Sequence, residues 1–416
     1  MAQHGTGPRV VVIGGGIAGV SAAYALARHP SAPAVTLIEA EGQLAQHTTG
    51  RSAAQLIENY GTPPLRALTK ASLPYFLHPP EGLADGPLLE RRGVLTVADD
   101  SRSEEFERQL ADGMAVNPTI SEIPVAEAVA LFPALRPEPI SRALWEPESY
   151  AIDVAAVHQS FVRGLRSAGG TIATHHRAVR IERAGSTWLI RTGPGGAAAP
   201  DPLPGDSAGT VLEADVVVNA AGAWGDDVAR RAGLIPIGLQ PLRRTAFMVA
   251  SRFEGSGSWP LVADIEHRWY VKPDGVQFLC SPAEETPSVP CDARPEEVDV
   301  AQAIDAINEA TTIGIRAVAS SWTGLRTFTP DRTMAIGPDP AEPSFVWCVG
   351  QGGTGIQSSP GAGQLVADLA LDGRPGSALT PAVLGGLTLD PAAFSPARFL
   401  TPGAAGREPA PAPHPG

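Results

Sequence analysis

The chain has 416 residues, of which 43% are hydrophobic and 18% charged, and this composition is typical of a globular protein with enough core for two domains. Its net charge of -13 argues against binding to nucleic acid or to anionic lipid. The sequence contains no recognisable signal peptide or membrane-spanning run, and its three cysteines lie too far apart for a metal site, so we expect a cytoplasmic protein without a bound metal.

The first predicted element is a buried strand over residues 10–13, followed by three glycines and a helix over residues 18–28. Gly14 permits a tight turn, Gly16 lets backbone N–H groups approach a pyrophosphate, and Gly19 lets the helix pack closely on the strand. This order of elements is typical of a dinucleotide-binding site.

A second apolar strand, residues 35–38, ends at Glu39, which follows Gly19 by 20 residues. A carboxylate at this position can accept hydrogen bonds from the hydroxyl groups of a ribose. The motif therefore predicts a bound dinucleotide, but alone it does not distinguish FAD, as a resident cofactor, from NAD, as a substrate.

Nucleotide-domain elements return later in the chain. A buried strand over residues 216–222 ends in small residues, and another over residues 345–350 leads into the glycine-rich segment 351–355. Short alternating strands over residues 88–145 and 236–330 indicate a second domain inserted into the first. Helices are predicted over residues 66–76, 103–110, 124–131, 152–167, 296–309 and 361–371, and further strands over residues 171–174 and 178–181.

This interleaving fits the plan of a two-domain flavoprotein, in which FAD lies extended across the fold. The predicted architecture is α/β, with a Rossmann-like FAD-binding domain and a substrate domain built on a mixed or antiparallel sheet. The FAD-binding domain is assigned residues 1–85, 146–235 and 330–400, the substrate domain residues 86–145 and 236–329, and a disordered tail residues 401–416.

Five motifs stand in order along the chain: residues 14–39, 47–54, 219–224, 322–331 and 351–357. Together they resemble the D-amino-acid oxidase/glycine oxidase family of FAD-dependent oxidoreductases. Within that family the nearest resemblance is to the bacterial D-arginine dehydrogenases. The nearer resemblance rests on the segments 60–69, 238–244 and 270–274.

The resemblance implies that FAD is bound without a covalent link, because Thr327 and Phe328 stand where some relatives carry a tethering cysteine. It assigns the diphosphate and ribose to Gly14, Gly16, Ile17, Ala18, Gly19, Glu39 and Ala40, and the flavin to His47, Thr48, Thr49, Arg51, Ser52, Ala53 and Arg326. It assigns the adenine to Val179, the diphosphate also to Ala221, Gly222 and Trp224, and the pyrimidine end of the flavin to Gly352, Gly353, Thr354, Gly355, Ile356 and Gln357.

The same resemblance implies a substrate that carries a carboxylate. Arg326 and Arg244 match two guanidinium anchors, although the adjacent Arg243 leaves the choice of the second anchor open. Tyr60 and Tyr270 match hydroxyl donors. No general base is assigned, because the flavin accepts the hydride and the protein supplies position and electrostatics.

The substrate side chain meets residues that depart from the D-arginine dehydrogenase pattern. Val94 stands where those relatives have a glutamate, although a slip in the alignment would let Glu90 take that part. Gln55 and Ile57 replace a histidine and a threonine. Burying a cationic side chain against these residues would be costly, so a D-amino acid with an apolar or neutral side chain is predicted. Further substrate contacts are assigned to Gln55, Val94 and Gly353.

The predicted reaction is hydride transfer from Cα of the amino acid to N5 of the flavin. It gives an imino acid that hydrolyses to a 2-oxo acid and ammonia. Some oxidases of the family activate oxygen with a lysine, and the comparable stretch 277–280 has none. This favours a dehydrogenase that passes electrons to a quinone or another carrier rather than to oxygen.

Other activities are compatible with the same fold. One is a secondary-amine oxidase acting on sarcosine, glycine or proline, and another is a 2-hydroxy-acid dehydrogenase. A flavoprotein acting on tRNA is disfavoured by the acidic charge, and a flavin-binding protein without activity is disfavoured by Arg326 and Tyr270. His175 and His176 are expected on a surface strand and not at a metal.

Overall fold

The computed structural model describes residues 7–197, 199, 209–376, 379 and 389–400, so the predicted tail over residues 401–416 lies outside the described residues. The helices in the described residues are α1 (Ile17–Ala27), α2 (Pro63–Leu77), α3 (Ser103–Val116), α4 (Val125–Leu131), α5 (Val154–Ser167), α6 (Gly225–Arg231), α7 (Glu297–Ala310), α8 (Ser359–Leu371) and α9 (Ala397–Leu400).

The strands of the same residues are β1 (Arg9–Ile13), β2 (Ala34–Ile38), β3 (Gln55–Leu56), β4 (Leu89–Arg91), β5 (Val94–Ala98), β6 (Ser121–Ile123), β7 (Arg142–Glu146), β8 (Tyr150–Ile152), β9 (Thr171–Ala173) and β10 (Arg177–Ala184). They continue with β11 (Thr187–Gly193), β12 (Val211–Ala214), β13 (Val216–Asn219), β14 (Gln240–Ala250), β15 (Leu261–Asp264), β16 (Tyr270–Asp274), β17 (Gln277–Ser281), β18 (Ser320–Phe328), β19 (Ala335–Pro338) and β20 (Phe345–Val349).

The first large sheet has the order β19-β20-β13-β1-β2-β9 and is parallel except at the edge strand β19. Val10 and Val12 of β1 belong to the core that contains α1 and α8. Val11 and Ile13 point the other way, into a core shared with Trp188 of the three-stranded sheet β10-β11-β12. Because both faces of β1 are buried, its apolar sequence is continuous and its carboxyl end is held firmly.

Gly14 and Gly19 determine how α1 leaves β1. Gly14 has a φ of +112°, in the region that favours glycine. A Cβ atom on Gly19 would lie 1.8 Å from the carbonyl oxygen of Gly14. The absence of side chains at these two positions therefore brings the first turn of α1 directly onto the end of β1.

The second large sheet is mixed and has the order β18-β14-β17-β16-β15-β5-β7-β6. Along β14, Phe247 packs into the core that contains α7, whereas Ala246 packs in a cluster with Ala53. Because side chains alternate along a strand, Arg244 lies on the same face as Ala246, and Arg243 lies on the opposite face.

The predicted α/β fold class is confirmed. The strands of the parallel sheet come from residues 9–38, 171–219 and 335–349, and those of the mixed sheet from residues 94–146 and 240–328. The domain boundaries assigned from the sequence stay a prediction.

The prediction that His175 and His176 lie on a strand is wrong. Both residues lie in the turn between β9 and β10, where His175 has a φ of +58°. Their main-chain N–H groups donate to the carbonyl oxygens of Glu41 (2.9 Å) and Glu39 (2.8 Å). The turn therefore joins the chain segment after β2, where the predicted ribose site begins.

Candidate active site

One cavity is lined by residues from both large sheets and from the segments that join them. At the glycine turn and β2 these are Gly14, Gly16, Ile17, Ala18, Glu39 and Ala40, and from the segment before β3 they are His47, Thr48, Thr49, Arg51, Ser52 and Ala53. The remaining predicted residues in the lining are Ala221, Gly222, Trp224, Gly352, Gly353, Gly355 and Ile356, together with Arg244, Tyr270 and Arg326.

The positive end of α1 faces this cavity. Gly16 precedes the helix without a side-chain cap, and the first turn contains no acidic residue. The hydroxyl oxygen of Thr49 accepts a hydrogen bond from the N–H of Ile17 at 3.0 Å. A helix start whose N-cap residue has no side chain, with small residues around it, leaves further N–H groups for a diphosphate.

Glu39 is held beside the glycine turn by main-chain donors. Its Oε2 atom accepts from the N–H of Gly15 at 2.6 Å, and its Oε1 atom accepts from the N–H of Glu41 at 2.8 Å. Burial raises the pKa of the Glu39 carboxyl, although the two main-chain donors oppose this shift. The carboxylate is therefore oriented towards the cavity, where ribose hydroxyl groups would find an acceptor.

His47 has one ring nitrogen in a hydrogen bond, whereas the other, Nδ1, lies 3.8 Å from the Oδ1 atom of Asp292 without a hydrogen bond. Its Nε2 atom lies 2.9 Å from Oε1 of Glu41, and its ring packs on Trp224 with centroids 4.8 Å apart. The buried Nδ1 atom of His47 and the buried Oγ1 atom of Thr327 have no hydrogen-bond partner within the described ranges. Because both residues line the cavity, these two polar atoms are available to a polar ligand such as FAD.

The segment before β3 is fastened to β18. The hydroxyl of Thr48 donates to the carbonyl of Leu325 at 2.8 Å, and the guanidinium of Arg51 donates to the carbonyl of Thr323 at 2.8 Å. The guanidinium of Arg51 also pairs with Asp292 at 2.5 Å. This wall of the cavity is therefore fixed by contacts between residues more than 240 positions apart in the chain.

Arg326 forms the centre of the predicted substrate site. Its Nη1 atom lies 3.3 Å from the hydroxyl oxygen of Tyr60, and a Cβ on Gly353 would come within 3.1 Å of the same guanidinium. Arg326 forms no ion pair with any residue that the structure describes. The guanidinium is largely buried, so it leaves a positive charge in the cavity for an anion to balance.

Of the two adjacent arginines that the sequence left open, Arg244 and not Arg243 lines the cavity. Its Nε atom donates to the carbonyl of Glu284 at 2.8 Å, and its Nη2 atom lies 3.3 Å from Oε1 of Glu285. Glu285 also accepts from Arg332, at 2.8 and 3.0 Å. Burial and the positive charge of Arg326 lower the pKa of Arg244, which means that this part of the cavity favours an anion.

The comparisons with known proteins agree with this geometry. The sequence profile of the family described as "FAD dependent oxidoreductase" (DAO) matches residues 9–369. The chain belongs to the DAO family. Its predicted family, its oxidoreductase class and FAD as the cofactor are thereby confirmed, whereas the nearer resemblance to D-arginine dehydrogenases stays a prediction.

Relatives of the DAO family cover most of this chain at low identity. The chain is 25% identical over 379 residues to the mitochondrial sarcosine dehydrogenase of Homo sapiens; the match covers 88% of this chain but 40% of that longer protein. It is 22% identical over 370 residues to glycine oxidase of Geobacillus kaustophilus, covering 86% of this chain and 92% of that protein. The crystal structure of L-proline dehydrogenase from P. horikoshii superposes with a TM-score of 0.75 at 20% identity, covering 95% of this chain and 98% of that one.

Membrane-spanning helices and clusters of metal ligands are both absent from the described residues. None of its described helices is long and apolar enough to pass through a membrane. In the same residues, no group of three or more histidine, cysteine, aspartate or glutamate side chains is arranged to hold a metal ion.

Seven predicted residues do not line the cavity. Tyr60 contacts Arg326, and Gly19 lies under α1. The amide of Gln357 instead holds the main chain of Ile57, through bonds of 3.1 Å to its N–H and its carbonyl. The hydroxyl of Thr354 donates to the carbonyl of Gln351. The remaining three are Gln55, Val94 and Val179, which is half-buried on β10.

Neither Val94 nor Gln55 lines the cavity, and each contacts other residues. Val94 packs in one cluster with Ile57 and Tyr270. The amide nitrogen of Gln55 donates to the carbonyl of Arg92 at 2.8 Å, and its buried Oε1 atom has no partner among the described residues. Glu90 points elsewhere, since its side chain is 69% exposed and pairs with Arg92 at 3.1 Å.

Two buried bases near the cavity were missed by the sequence analysis. The Nε2 atom of His158 on α5 lies 3.0 Å from the carbonyl oxygen of Gly15, and burial lowers the pKa of this histidine. Lys272 on β16 donates to the carbonyl oxygens of Ala53 (2.5 Å) and Ala54 (3.3 Å). A lysine between Val271 and Pro273, two residues after Tyr270, was the available signal for the second.

Lys272 affects the prediction that electrons pass to a carrier other than oxygen. It stands opposite Leu279 in the β16–β17 pair, so a buried lysine lies beside the stretch 277–280 that has none. Burial lowers the pKa of Lys272 to about 8. The lack of a lysine in residues 277–280 therefore does not separate a dehydrogenase from an oxidase in this protein.

Proposed function

We propose that this protein oxidises the C–N bond of an amino acid, and that its preferred substrates are D-amino acids with apolar or neutral side chains. The observation that carries the proposal is the largely buried guanidinium of Arg326, which opens onto the cavity without an ion-pair partner in the described ranges. A substrate carboxylate would balance this charge and bind the planar fork through two hydrogen bonds.

FAD supplies the hydride acceptor in this family, so the side chains have to bind and orient the substrate. Arg326 would hold the carboxylate, with the hydroxyl groups of Tyr60 and Tyr270 as further donors. Arg244, whose charge is shared with Glu285, would add positive potential at the same end of the cavity. The imino acid product would hydrolyse to a 2-oxo acid and ammonia.

The apolar wall supports the proposed side-chain preference. Tyr270 lines the cavity, and Val94 and Ile57 pack behind it in one apolar cluster. The carboxylate of Glu90 is exposed and paired with Arg92, so it offers no counter-charge at this wall. A cationic side chain would lose its hydration there without gaining a partner.

A secondary-amine oxidase is the second candidate, and the relatives favour it. The proteins to which the chain is similar include a sarcosine dehydrogenase, a glycine oxidase and an L-proline dehydrogenase. Their substrates are small amines that carry a carboxylate, which the same arginine anchor would accept.

The test is an anaerobic panel on the purified FAD-loaded protein, with loss of flavin absorbance as the readout. The panel contains the D- and L-forms of methionine, leucine, phenylalanine and arginine, together with sarcosine, glycine and proline. We expect kcat/KM to be highest for the apolar D-amino acids. A higher value for D-arginine would contradict the side-chain preference, and bleaching by sarcosine or proline alone would favour the second candidate.

The electron acceptor and the attachment of FAD are tested on the same preparation. Oxygen and an electron-accepting dye are compared with the best substrate: faster turnover with the dye would support the predicted dehydrogenase, and faster turnover with oxygen would identify an oxidase. Acid precipitation should release FAD into the supernatant, because Thr327 and Phe328 offer no thiol at the predicted attachment position. Flavin that stays with the precipitate would contradict non-covalent binding.

A further inference from the structure

A buried histidine lies between α5 and the glycine turn that leads into α1. His158 on α5 is 3% exposed, and its neighbours Val157 and Phe161 belong to the core that contains α1. An imidazole is costly to bury without a hydrogen bond, so the identity of its partner is informative. The Nε2 atom of His158 lies 3.0 Å from the carbonyl oxygen of Gly15. The one polar side chain at this point of the helix therefore contacts the predicted FAD site.

The imidazole of His158 donates this hydrogen bond. A carbonyl oxygen can only accept, so the proton of a neutral ring has to be on Nε2. Burial lowers the pKa of His158, and the ring is therefore neutral near pH 7. The Gly15 carbonyl is thus held by an N–H donor that brings no positive charge to the turn.

Two further hydrogen bonds hold Gly15. Its carbonyl oxygen also accepts from the N–H of Ala45 at 3.2 Å, and its own N–H donates to Oε2 of Glu39 at 2.6 Å. Gly15 stands between Gly14 and Gly16, so no side chain on the turn restricts the rotation of its peptide groups. Hydrogen bonds, rather than local steric contacts, therefore determine how the peptide group between Gly15 and Gly16 is oriented.

The orientation of the Gly15 carbonyl decides where the N–H of Gly16 points. The peptide bond between the two residues is trans, so its C=O and N–H groups point to opposite sides. Gly16 lines the cavity, whereas Gly15 and His158 do not. The N–H of Gly16 has no hydrogen-bond partner among the residues that the structure describes. If this peptide group rotated by half a turn, a carbonyl oxygen would replace the N–H, and a carbonyl oxygen repels a phosphate.

We propose that His158 is a positioning residue for FAD, which holds the peptide group between Gly15 and Gly16 so that the N–H of Gly16 is presented to the diphosphate. The N–H of the next residue, Ile17, is already bonded to the hydroxyl of Thr49 at 3.0 Å, which makes the N–H of Gly16 important at the start of α1. This role concerns the cofactor alone and does not depend on which amine the enzyme oxidises.

His158→Met and His158→Gln test the proposal together. Methionine fills a similar volume without a donor, whereas the amide nitrogen of glutamine extends about as far as Nε2 and can donate to the Gly15 carbonyl. The probe is FAD, titrated with the apoprotein and followed through quenching of its fluorescence. We expect the dissociation constant to rise about tenfold in His158→Met and to stay within about threefold of the unmodified value in His158→Gln.

Phe161→Leu is the matched control. Phe161 lies about one turn further along α5, does not line the cavity and stacks on Tyr75 with ring centroids 5.0 Å apart. This variant should lower the unfolding temperature of the apoprotein and leave the FAD dissociation constant unchanged. If His158→Met yields no folded apoprotein, His158→Asn takes its place, because its amide is one methylene shorter than that of glutamine and does not extend to the Gly15 carbonyl.

Three outcomes would overturn the proposal. The variant without a donor in reach of Gly15 binds FAD as tightly as the unmodified apoprotein, His158→Gln loses as much affinity as that variant, or Phe161→Leu loses as much. Because the probe is FAD and no substrate is present, the result is also separate from the proposed function. If no amino acid bleaches the flavin but FAD affinity still follows the donor at position 158, the proposed function fails and the role of His158 stands.

Discussion

The guanidinium of Arg326 donates a hydrogen bond to the hydroxyl oxygen of Tyr60 over 3.3 Å, and Gly353 lies directly against both groups. Arg326 comes from β18, Tyr60 from the turn before α2, and Gly353 from the glycine-rich segment after β20. Three distant parts of the chain thus meet at one charged group. Since that group has no acidic partner in the described residues, its position is set for an anionic ligand.

Arg326→Lys should lower kcat/KM by about a hundredfold. Lysine keeps the charge but loses the planar fork that binds a carboxylate through two hydrogen bonds, and weakening one partner of a buried charged pair costs about 2–5 kcal/mol. Steady-state kinetics with the best amino acid measures the loss. Arg243→Lys is the control, because Arg243 lies on the other face of β14, where it pairs with Glu296 at 3.2 Å. An equal loss in both variants would contradict the assigned role of Arg326.

Gly353→Ala should disturb the same anchor without a change of charge. A Cβ atom there would lie 2.7 Å from the Tyr60 hydroxyl and 3.1 Å from the Arg326 guanidinium, so both groups would have to move. We expect kcat/KM to fall about tenfold or more, since small displacements of positioning groups are costly. Gly86→Ala is the control, because no atom lies within 4 Å of a Cβ there. Unchanged kinetics of Gly353→Ala would show that the anchor tolerates displacement.

The sequence was sufficient to predict the glycine turn, the position of Glu39 and the strands and helix around them. The residues that determine these features are close together in the chain. Gly14 and Gly19 belong to one strand–turn–helix unit, and the continuous apolar run of β1 follows from burial on both faces. The helix α2 was predicted to begin at residue 66 but begins at Pro63, because proline is well suited to the first turn of a helix.

The contacts between distant segments could not be predicted in this way. The choice between Arg243 and Arg244 depends on which face of β14 turns to the cavity, which is decided by packing against α7 and Ala53. Lys272 binds main-chain carbonyl groups, and these have no signature in the sequence.

Glu39→Gln should weaken FAD binding by about tenfold. The carboxylate accepts two main-chain N–H groups with its two oxygens, and an amide can replace only one of these acceptors while placing an NH₂ group against the other donor. Reconstitution of the apoprotein, followed by quenching of FAD fluorescence, gives the dissociation constant. Glu104→Gln, on the exposed surface of α3, should bind FAD normally. Wild-type affinity in Glu39→Gln would refute the ribose assignment.

Lys272→Met should change how stability depends on pH. Burial lowers the pKa of Lys272 to about 8 in the folded protein, whereas a lysine in the unfolded chain has a pKa of about 10.4. Between these values the unfolded state binds more protons than the folded state, so this group makes the free energy of unfolding rise with pH, by at most about 1.4 kcal/mol per pH unit. Below about pH 7 both states are protonated, and this contribution is constant.

Urea denaturation at pH 7, 8, 9 and 9.5 tests this dependence. The difference in unfolding free energy between the unmodified protein and Lys272→Met should begin to shift in favour of the unmodified protein between pH 7 and pH 8 and rise more steeply above pH 8. Lys70→Met, at a partly exposed position on α2, controls for the loss of one lysine and should give a flat difference throughout. A flat difference for Lys272→Met as well would mean that the ammonium is held by the carbonyl groups of Ala53 and Ala54 without a cost of burial, because those two acceptors would then replace its hydration fully.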